Sequence, residues 1–142
     1  MTSSYFAVAQ AIAGLLPGDV SPVTEVVELS DGQASFDALP WTVVRVRPPL
    51  PLPRSFAGTR LGDVIEVNVT VAAATFESVA VVYSRVVQAL EQATPVVDGW
   101  ACSPLREVSA LPPAEDPDVT IIGSNRRVCY TVVSFEMTVS AR

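Results

Sequence analysis

A change of hydrophobic period between residues 63 and 93 constrains the fold of this chain more than any other feature. From residue 65 to residue 71, apolar and polar residues alternate, which is the pattern of a strand with one buried face. After a short alanine run, apolar residues recur at helical spacing over residues 76–93, and Pro95 prevents the helix from continuing. Neither apolar side can remain in water, so the sequence predicts helices packed on a sheet.

Two side chains of the predicted helix have expected partners. Thr75 precedes the first apolar residue, and its hydroxyl can accept a hydrogen bond from an amide of the first turn, which predicts an N-cap. Tyr83 falls in the apolar stripe. Its hydroxyl is therefore expected to reach water or a polar partner at the edge of the helix.

The size and composition of the chain predict a single domain over residues 1–142. Hydrophobic residues make up 49% of the sequence and charged residues 17%, which is typical of a globular protein. No apolar run reaches the roughly 18 residues of a membrane span. A secretion signal begins with basic residues, whereas no basic residue precedes Arg45, so we expect neither export nor a membrane partner.

The charged and sulfur-containing residues indicate no catalytic chemistry. The net charge is −6, all nine basic residues are arginines and there is no histidine. This balance argues against a general nucleic-acid binder, but it leaves open a protein that encircles DNA without gripping it. Cys102 and Cys129 are expected to be reduced and buried, and two cysteines without a histidine would leave a zinc site half empty. We therefore predict no catalytic, cofactor-binding or metal-binding residues, and no cofactor.

The remaining elements are read from shorter patterns. An N-terminal helix is expected over residues 5–16, with Thr2, Ser3 and Ser4 as candidate caps and Pro17 at its end. Strands are expected at residues 24–29, 41–47, 100–102, 105–111 and 126–141. In the last of these, the adjacent Val132 and Val133 indicate either a bulge or a change of buried face.

Two stretches near the middle of the chain could contact partners. Arg45 and Arg47 occupy one side of the predicted strand 41–47, where a solvated outer face is favoured over a contact surface. Residues 48–62 contain a proline-rich run and are expected to form neither helix nor strand. Long loops of this kind in small domains are often interaction arms. The loop residues predicted to contact a neighbour are Leu50, Arg54, Phe56 and Arg60.

The C-terminal third suggests one further contact. Residues 115–118 are read as an acidic solvated loop, because their spacing lacks the alternation and glycine of a calcium-binding loop. The strand 126–141 is long enough to project beyond a sheet, and an exposed edge would invite pairing with another subunit. Glu136 and Thr138 are the residues predicted to take part.

Several segments together resemble the tail terminator (tail completion) proteins of long-tailed bacteriophages. The matching segments are Leu-Pro-Trp-Thr-Val-Val-Arg at 39–45, Glu-Val-Asn-Val-Thr-Val at 66–71, Val-Val-Gln-Ala-Leu at 86–90, Glu-Asp-Pro-Asp at 115–118 and Tyr-Thr-Val-Val-Ser-Phe at 130–135. The resemblance implies an α+β two-layer sandwich. Its sheet would be mixed and mostly antiparallel, with about four to five strands, and two helices would pack on one face.

The resemblance also implies a function that is structural and not enzymatic. Such proteins form a ring of six subunits that caps the tail tube, stops its polymerisation and joins the tail to the head. The expected partners are other copies of the chain, the tail-tube protein and a connector or head-closure protein, with DNA passing through the ring. The expected location is the tail-neck junction of a virion assembled in the host cytoplasm. The alternatives are another neck protein, a tail-tube subunit, a small carboxylate-based enzyme or a generic binding module.

Overall fold

The structure, a computed structural model, describes residues 5–20, 22–23, 33–34, 39–47, 50–51, 62–123 and 125–141. These residues form an α+β fold with two α-helices and a mostly antiparallel sheet, which confirms the predicted fold class. In chain order the elements are α1 (Tyr5–Ala13), β1 (Pro22–Val23), β2 (Gln33–Ala34), β3 (Trp41–Val46), β4 (Leu50–Pro51), β5 (Asp63–Ala73), α2 (Phe76–Leu90), β6 (Trp100–Cys102), β7 (Arg106–Ala110), β8 (Ala114–Ile121) and β9 (Arg127–Ala141).

The sheet contains more strand segments than the sequence suggested. Its main path runs β1-β3-β5-β9-β8-β2, while β4 pairs with β5, and β6 and β7 pair with β9. Within the described residues it therefore has nine segments instead of about four to five. The additional segments are the two-residue strands β1, β2 and β4, together with β8, whose acidic residues the sequence analysis placed in a loop.

Two long central strands organise the sheet. β5 and β9 pair without interruption from Asp63 opposite Val139 to Ala73 opposite Cys129. The other edge of β9 pairs in turn with β8, β7 and β6. The prediction that the C-terminal strand offers a free edge to another subunit is therefore wrong. β9 is long because it lies at the centre of the sheet, where one of its edges pairs with three short strands.

Both helices pack on one side of the sheet and enclose the main core. α1 contacts β3, and α2 contacts β5 and β9. The largest fully buried side chains in this core include Ile12, Val44, Ile65, Leu90, Phe135 and Met137. A smaller cluster on the other side of the sheet contains Ala72, Ile121 and Val128. The Val132-Val133 pair marks neither a bulge nor a change of buried face. The register of β9 with β5 is unbroken, and the same face is buried from Cys129 to Val139, while Val128 belongs to the second cluster on the other side.

The helix boundaries differ slightly from the sequence prediction. The Thr75 hydroxyl accepts a hydrogen bond from the Ser78 amide at 3.1 Å, which confirms the N-cap of α2. The helix ends at Leu90, three residues earlier than predicted, and Gln92 then adopts a φ of 66° that is incompatible with a right-handed helix. α1 ends at Ala13 and not at residue 16, because Gly14 follows and weakens helix continuation.

Two predicted loops contain strand residues. Leu50 and Pro51 pair with Val64 and Asp63, so residues 48–62 are not free of regular structure. Proline is tolerated there because a two-residue edge strand needs few ladder bonds. Residues 115–118 lie inside β8 instead of forming a separate loop. The predicted strand at residues 24–29 and the candidate caps Thr2, Ser3 and Ser4 lie outside the described residues.

Candidate assembly surfaces

A row of charged side chains crosses the side of the sheet opposite the two helices. Arg47 follows β3, and its Nη1 lies 3.0 Å from Oε2 of Glu66 on β5. Glu66 stands directly opposite Glu136 on β9, and Oε1 of Glu136 lies 2.6 Å from Nη2 of Arg106 on β7. Two neighbouring carboxylates are thus each flanked by an arginine. Exposed ion pairs of this kind contribute little to folding, typically about 0–1 kcal/mol.

The next row along the strands is polar but carries one unpaired charge. Arg45 stands opposite Asn68, and the Ser134 hydroxyl donates to the Asn68 side-chain oxygen at 2.7 Å. Arg45 is exposed and has no ion-pair partner among the described residues. We call this side of the sheet the polar face; it comprises the side chains of Arg45, Arg47, Glu66, Asn68, Arg106, Ser134, Glu136 and Thr138.

The polar face brings together four of the residues predicted to contact partners. Arg45 and Arg47 lie at its β3 end, and Glu136 and Thr138 lie in β9. The Thr138 amide donates to Oγ of Ser103 at 2.8 Å, so its backbone is engaged within the subunit. Leu50 pairs in the backbone register with Val64, which itself stands opposite Thr138.

Three residues predicted to contact partners are not described by the structure, and two residues of the polar face were not predicted. Arg54, Phe56 and Arg60 lie outside the described residues, so their predicted contacts remain predictions. Glu66 and Arg106, which complete the charged row, were missed. Their role depends on the cross-strand register, and no local pattern in the sequence gives that register.

A second surface is an apolar groove along one flank of α2, with a volume of about 370 Å³. Val79, Ala80 and Tyr83 form its helical wall, residues 110–113 form the opposite wall, and Thr131 lies between them. Leu111 in this wall is 59% exposed, and Val108, at the register shift within β7, is 54% exposed. We call this feature the α2 groove.

At the Tyr83 end of the α2 groove, hydrogen bonds connect the helix to β7. The Tyr83 hydroxyl donates to Oε1 of Glu107 at 2.6 Å, and the Glu107 amide donates to Oε2 of Glu91 at 2.6 Å. This hydrogen bond to Glu107, together with burial and the carboxylate charge, raises the pKa of Tyr83 to about 12. Tyr83 therefore has the polar partner that its place in the apolar stripe required.

The wall formed by residues 110–113 continues into β8, which carries three acidic residues between 115 and 118; of these, Glu115 lines a different concavity, together with Arg126 and Arg127. The β8–β9 register is interrupted between Glu115 and Thr120, so the intervening residues bulge from the sheet. Asp116 accepts a hydrogen bond from the Asp118 amide at 2.9 Å, which shapes this bulge. Together with Pro117, these charges make strand addition to this edge unfavourable. We call Glu115, Asp116 and Asp118 the acidic rim.

A third concavity lies near the N-terminus of α2, with a volume of about 580 Å³. Arg126 and Arg127 line it, and Nη2 of Arg126 donates to the Ala74 carbonyl at 3.1 Å. Burial and the nearby Glu115 raise the pKa of the Cys129 thiol, which makes this thiol a weak nucleophile. Cys129 is buried, whereas Cys102 is only half-buried, and neither forms a disulfide. Among the described residues, no group of three potential metal ligands occurs.

Comparison with known proteins shows similarity at the level of the fold. No family model and no curated protein matches the sequence. A chain in the structure of the virion of a native gene transfer agent (GTA) particle matches with a TM-score of 0.57 and 15% sequence identity. The match covers 90% of this chain and 83% of that chain. At this level of identity, the likeness concerns the fold alone. No helix in the described part of the chain has the length and apolar character needed to cross a membrane.

Proposed function

We propose that this protein is a structural component of a phage-like virion, and specifically a tail terminator. The observation that carries the proposal is the fold likeness to a chain of a virion particle, which extends over 90% of this chain. The resemblance of residues 39–45, 66–71 and 130–135 to tail terminator proteins supports the same role. In this role the chain forms a hexameric ring that caps the tail tube and joins it to a connector or head-closure protein.

The surfaces of the subunit suit a role in assembly. The polar face presents exposed charges that contribute little to folding and are therefore available for contacts with another protein. The α2 groove and the exposed Leu111 offer an apolar surface of the kind that forms the centre of an interface. With a net charge of −6, the subunit would also let DNA pass through the ring without binding tightly, because like charges repel.

Electron microscopy with native mass spectrometry tests the terminator role. The purified protein is incubated with and without its cognate tail-tube protein. A terminator forms closed rings of uniform size that cap tube ends and limit tube length. Rings that bind only a connector would assign the chain to another neck position, and open cylinders formed by the protein alone would assign it to the tube. A monomer that binds neither partner would contradict a virion role.

A further inference from the structure

A further groove, with a volume of about 380 Å³, runs along the flank of α2 that faces away from β7. Val20, Val81 and Val82 supply apolar lining, and Pro40 adds to it. Val81 is 56% exposed, so the apolar lining continues onto the outer surface of the helix. We call this feature the Val81 groove.

The two ends of the Val81 groove carry opposite charges. Glu77 lies four residues before Val81 and Arg85 lies four residues after it, so the three side chains form one stripe along α2. Ion pairs within a helix join residues three or four positions apart, whereas Glu77 and Arg85 are separated by about 12 Å along the axis. Glu77 is exposed and has no ion-pair partner in the described part of the chain.

Arg85 can bind a further carboxylate although it already has one partner. Its Nη1 donates to a carboxylate oxygen of Asp19, and the Arg85 side chain is still 44% exposed. A guanidinium carries five N–H donors in one plane, and Asp19 engages only part of them. The stripe therefore presents a carboxylate at one end, an apolar side chain in the middle and a cation at the other end.

The complement of this stripe is the same stripe running in the opposite direction. A partner must place a cation near Glu77, an apolar side chain near Val81 and a carboxylate near Arg85, all at helical spacing. Helix α2 of a second copy meets these conditions when the two helices pack antiparallel about a twofold axis at Val81. Each Glu77 then faces Arg85 of the partner subunit, and the two Val81 side chains meet at the axis.

The residues around Val81 allow two helices to approach closely. Ala80 and Ser84 are small and exposed. The Ser84 hydroxyl donates to the Ala80 carbonyl at 3.0 Å, and the Ser78 hydroxyl accepts from the Thr75 hydroxyl at 3.0 Å. Because both serine hydroxyls have partners inside the subunit, covering them leaves neither unsatisfied.

We propose that two copies of the free protein pair through α2, with the helices antiparallel and a Glu77–Arg85 ion pair on either side of Val81. The contact is small and exposed ion pairs contribute little, so the pairing is weak and requires a high protein concentration. It does not depend on the terminator role. A twofold contact is complete with two copies and cannot by itself build the proposed ring, and it leaves the polar face on the other side of the sheet uncovered.

Sedimentation equilibrium of the full-length protein over a wide concentration range tests the pairing. We expect the mass to double as the concentration rises and then to stay constant. If the free protein already forms rings, the same contact would join two rings and would again double the mass. A mass that never doubles would overturn the proposal.

Charge reversal tests which residues meet in the pair. Glu77→Arg should weaken pairing at least tenfold, because arginines then face each other, and Arg85→Glu should do the same because carboxylates face each other. A one-to-one mixture of the two variants should recover the pairing, since opposite charges meet again in the mixed pair. Loss of stability in either variant could not produce this recovery. A mixture that stays unpaired would contradict the proposed contact.

Asp118→Arg is the matched control for the change of net charge. Asp118 is exposed on β8 and lines neither groove beside α2. This variant should pair as the wild type does, and thermal unfolding checks that all the variants are folded. Pairing as weak as that of Glu77→Arg would show that net charge, and not the α2 stripe, controls association, which would overturn the proposal.

The outcomes separate this contact from the terminator role. Recovery of pairing by the mixture, in a protein that never caps tubes, would retain the contact and reject the terminator. Tube capping by a protein that never pairs would do the reverse. If Glu77→Arg abolished binding of the tube protein while the wild type did not pair, the Val81 groove would belong to the tube protein and the proposal would be wrong.

Discussion

Thr75 determines where α2 begins, because its side chain bonds to an amide that the helix itself leaves without a partner. The hydroxyl accepts from the Ser78 amide at 3.1 Å. Thr75→Ala should therefore lower the free energy of unfolding by about 1 kcal/mol, as is usual for loss of an N-cap. Thr75→Ser keeps the acceptor and should retain most of that stability. Urea unfolding measures both variants, and equal losses would contradict capping by the hydroxyl.

Tyr83 gives the protein a specific loss of stability at high pH. Its neutral hydroxyl donates to Glu107, and this hydrogen bond raises the pKa of Tyr83 from the usual tyrosine value of about 10 to about 12. A pKa raised by folding stabilises the protein fully below the unfolded value, and that contribution disappears as the pH rises through the folded value. At pH 8, Tyr83→Phe should lower the free energy of unfolding by about 2 kcal/mol, the scale of a hydrogen bond to a charged group.

The pH dependence of that difference is the decisive measurement. Urea unfolding of wild type and Tyr83→Phe between pH 8 and pH 12 should give curves that converge above pH 10, because the tyrosine hydroxyl loses its proton. A difference that stays constant would mean that Tyr83 stabilises only by packing.

At the level of single residues, the sequence could show that the Tyr83 hydroxyl needs a partner. It could not identify Glu107, which is 24 positions away and is brought near by the sheet.

At the scale of elements, β9 carries the fold because it pairs on both edges and supplies one face to the core. Phe135 lies on that face and is fully buried. Phe135→Ala should lower the free energy of unfolding by about 3–5 kcal/mol, the range for large aromatic side chains removed from cores. Chemical denaturation measures the change. A loss below about 1 kcal/mol would show that β9 does not hold the core as described.

Because β9 lies at the centre of the sheet, a C-terminal truncation would test folding and not a contact between subunits. Removal of residues from Glu136 onward takes Met137 and Val139 from the core and removes the partner of β6. Such a protein should fail to fold, so lost assembly would say nothing about a contact surface. The sequence predicted that this strand exists, because its alternation is local. It could not predict the strand's central position, because the pairing of β9 with β6, β7 and β8 depends on contacts distant in sequence.

At the scale of the whole molecule, the fold class follows from the sequence more directly than the surfaces do. The period change between β5 and α2 requires a helix-on-sheet core. The polar face, in contrast, arises only when β3, β5, β9 and β7 align in register, which places Arg47 and Arg106 at opposite ends of one charged row. The surfaces proposed for assembly are therefore products of the tertiary structure, and single segments of sequence indicate only some of their members.

Arg45 allows the contact role of the polar face to be separated from folding. It is exposed and has no ion-pair partner in the described part of the subunit, so Arg45→Gln should change the free energy of unfolding by less than about 0.5 kcal/mol. If the polar face binds the tail tube or a neighbouring subunit, loss of an interfacial arginine should weaken capping of tube ends about fivefold or more.

Arg85→Gln is the control, because it removes the same charge from an exposed arginine of α2, where Arg85 pairs with Asp19. Capping measured against protein concentration should therefore respond to the first variant and not to the second. Equal affinities for all three proteins would exclude Arg45 and its surroundings on the polar face from the contact with the tube.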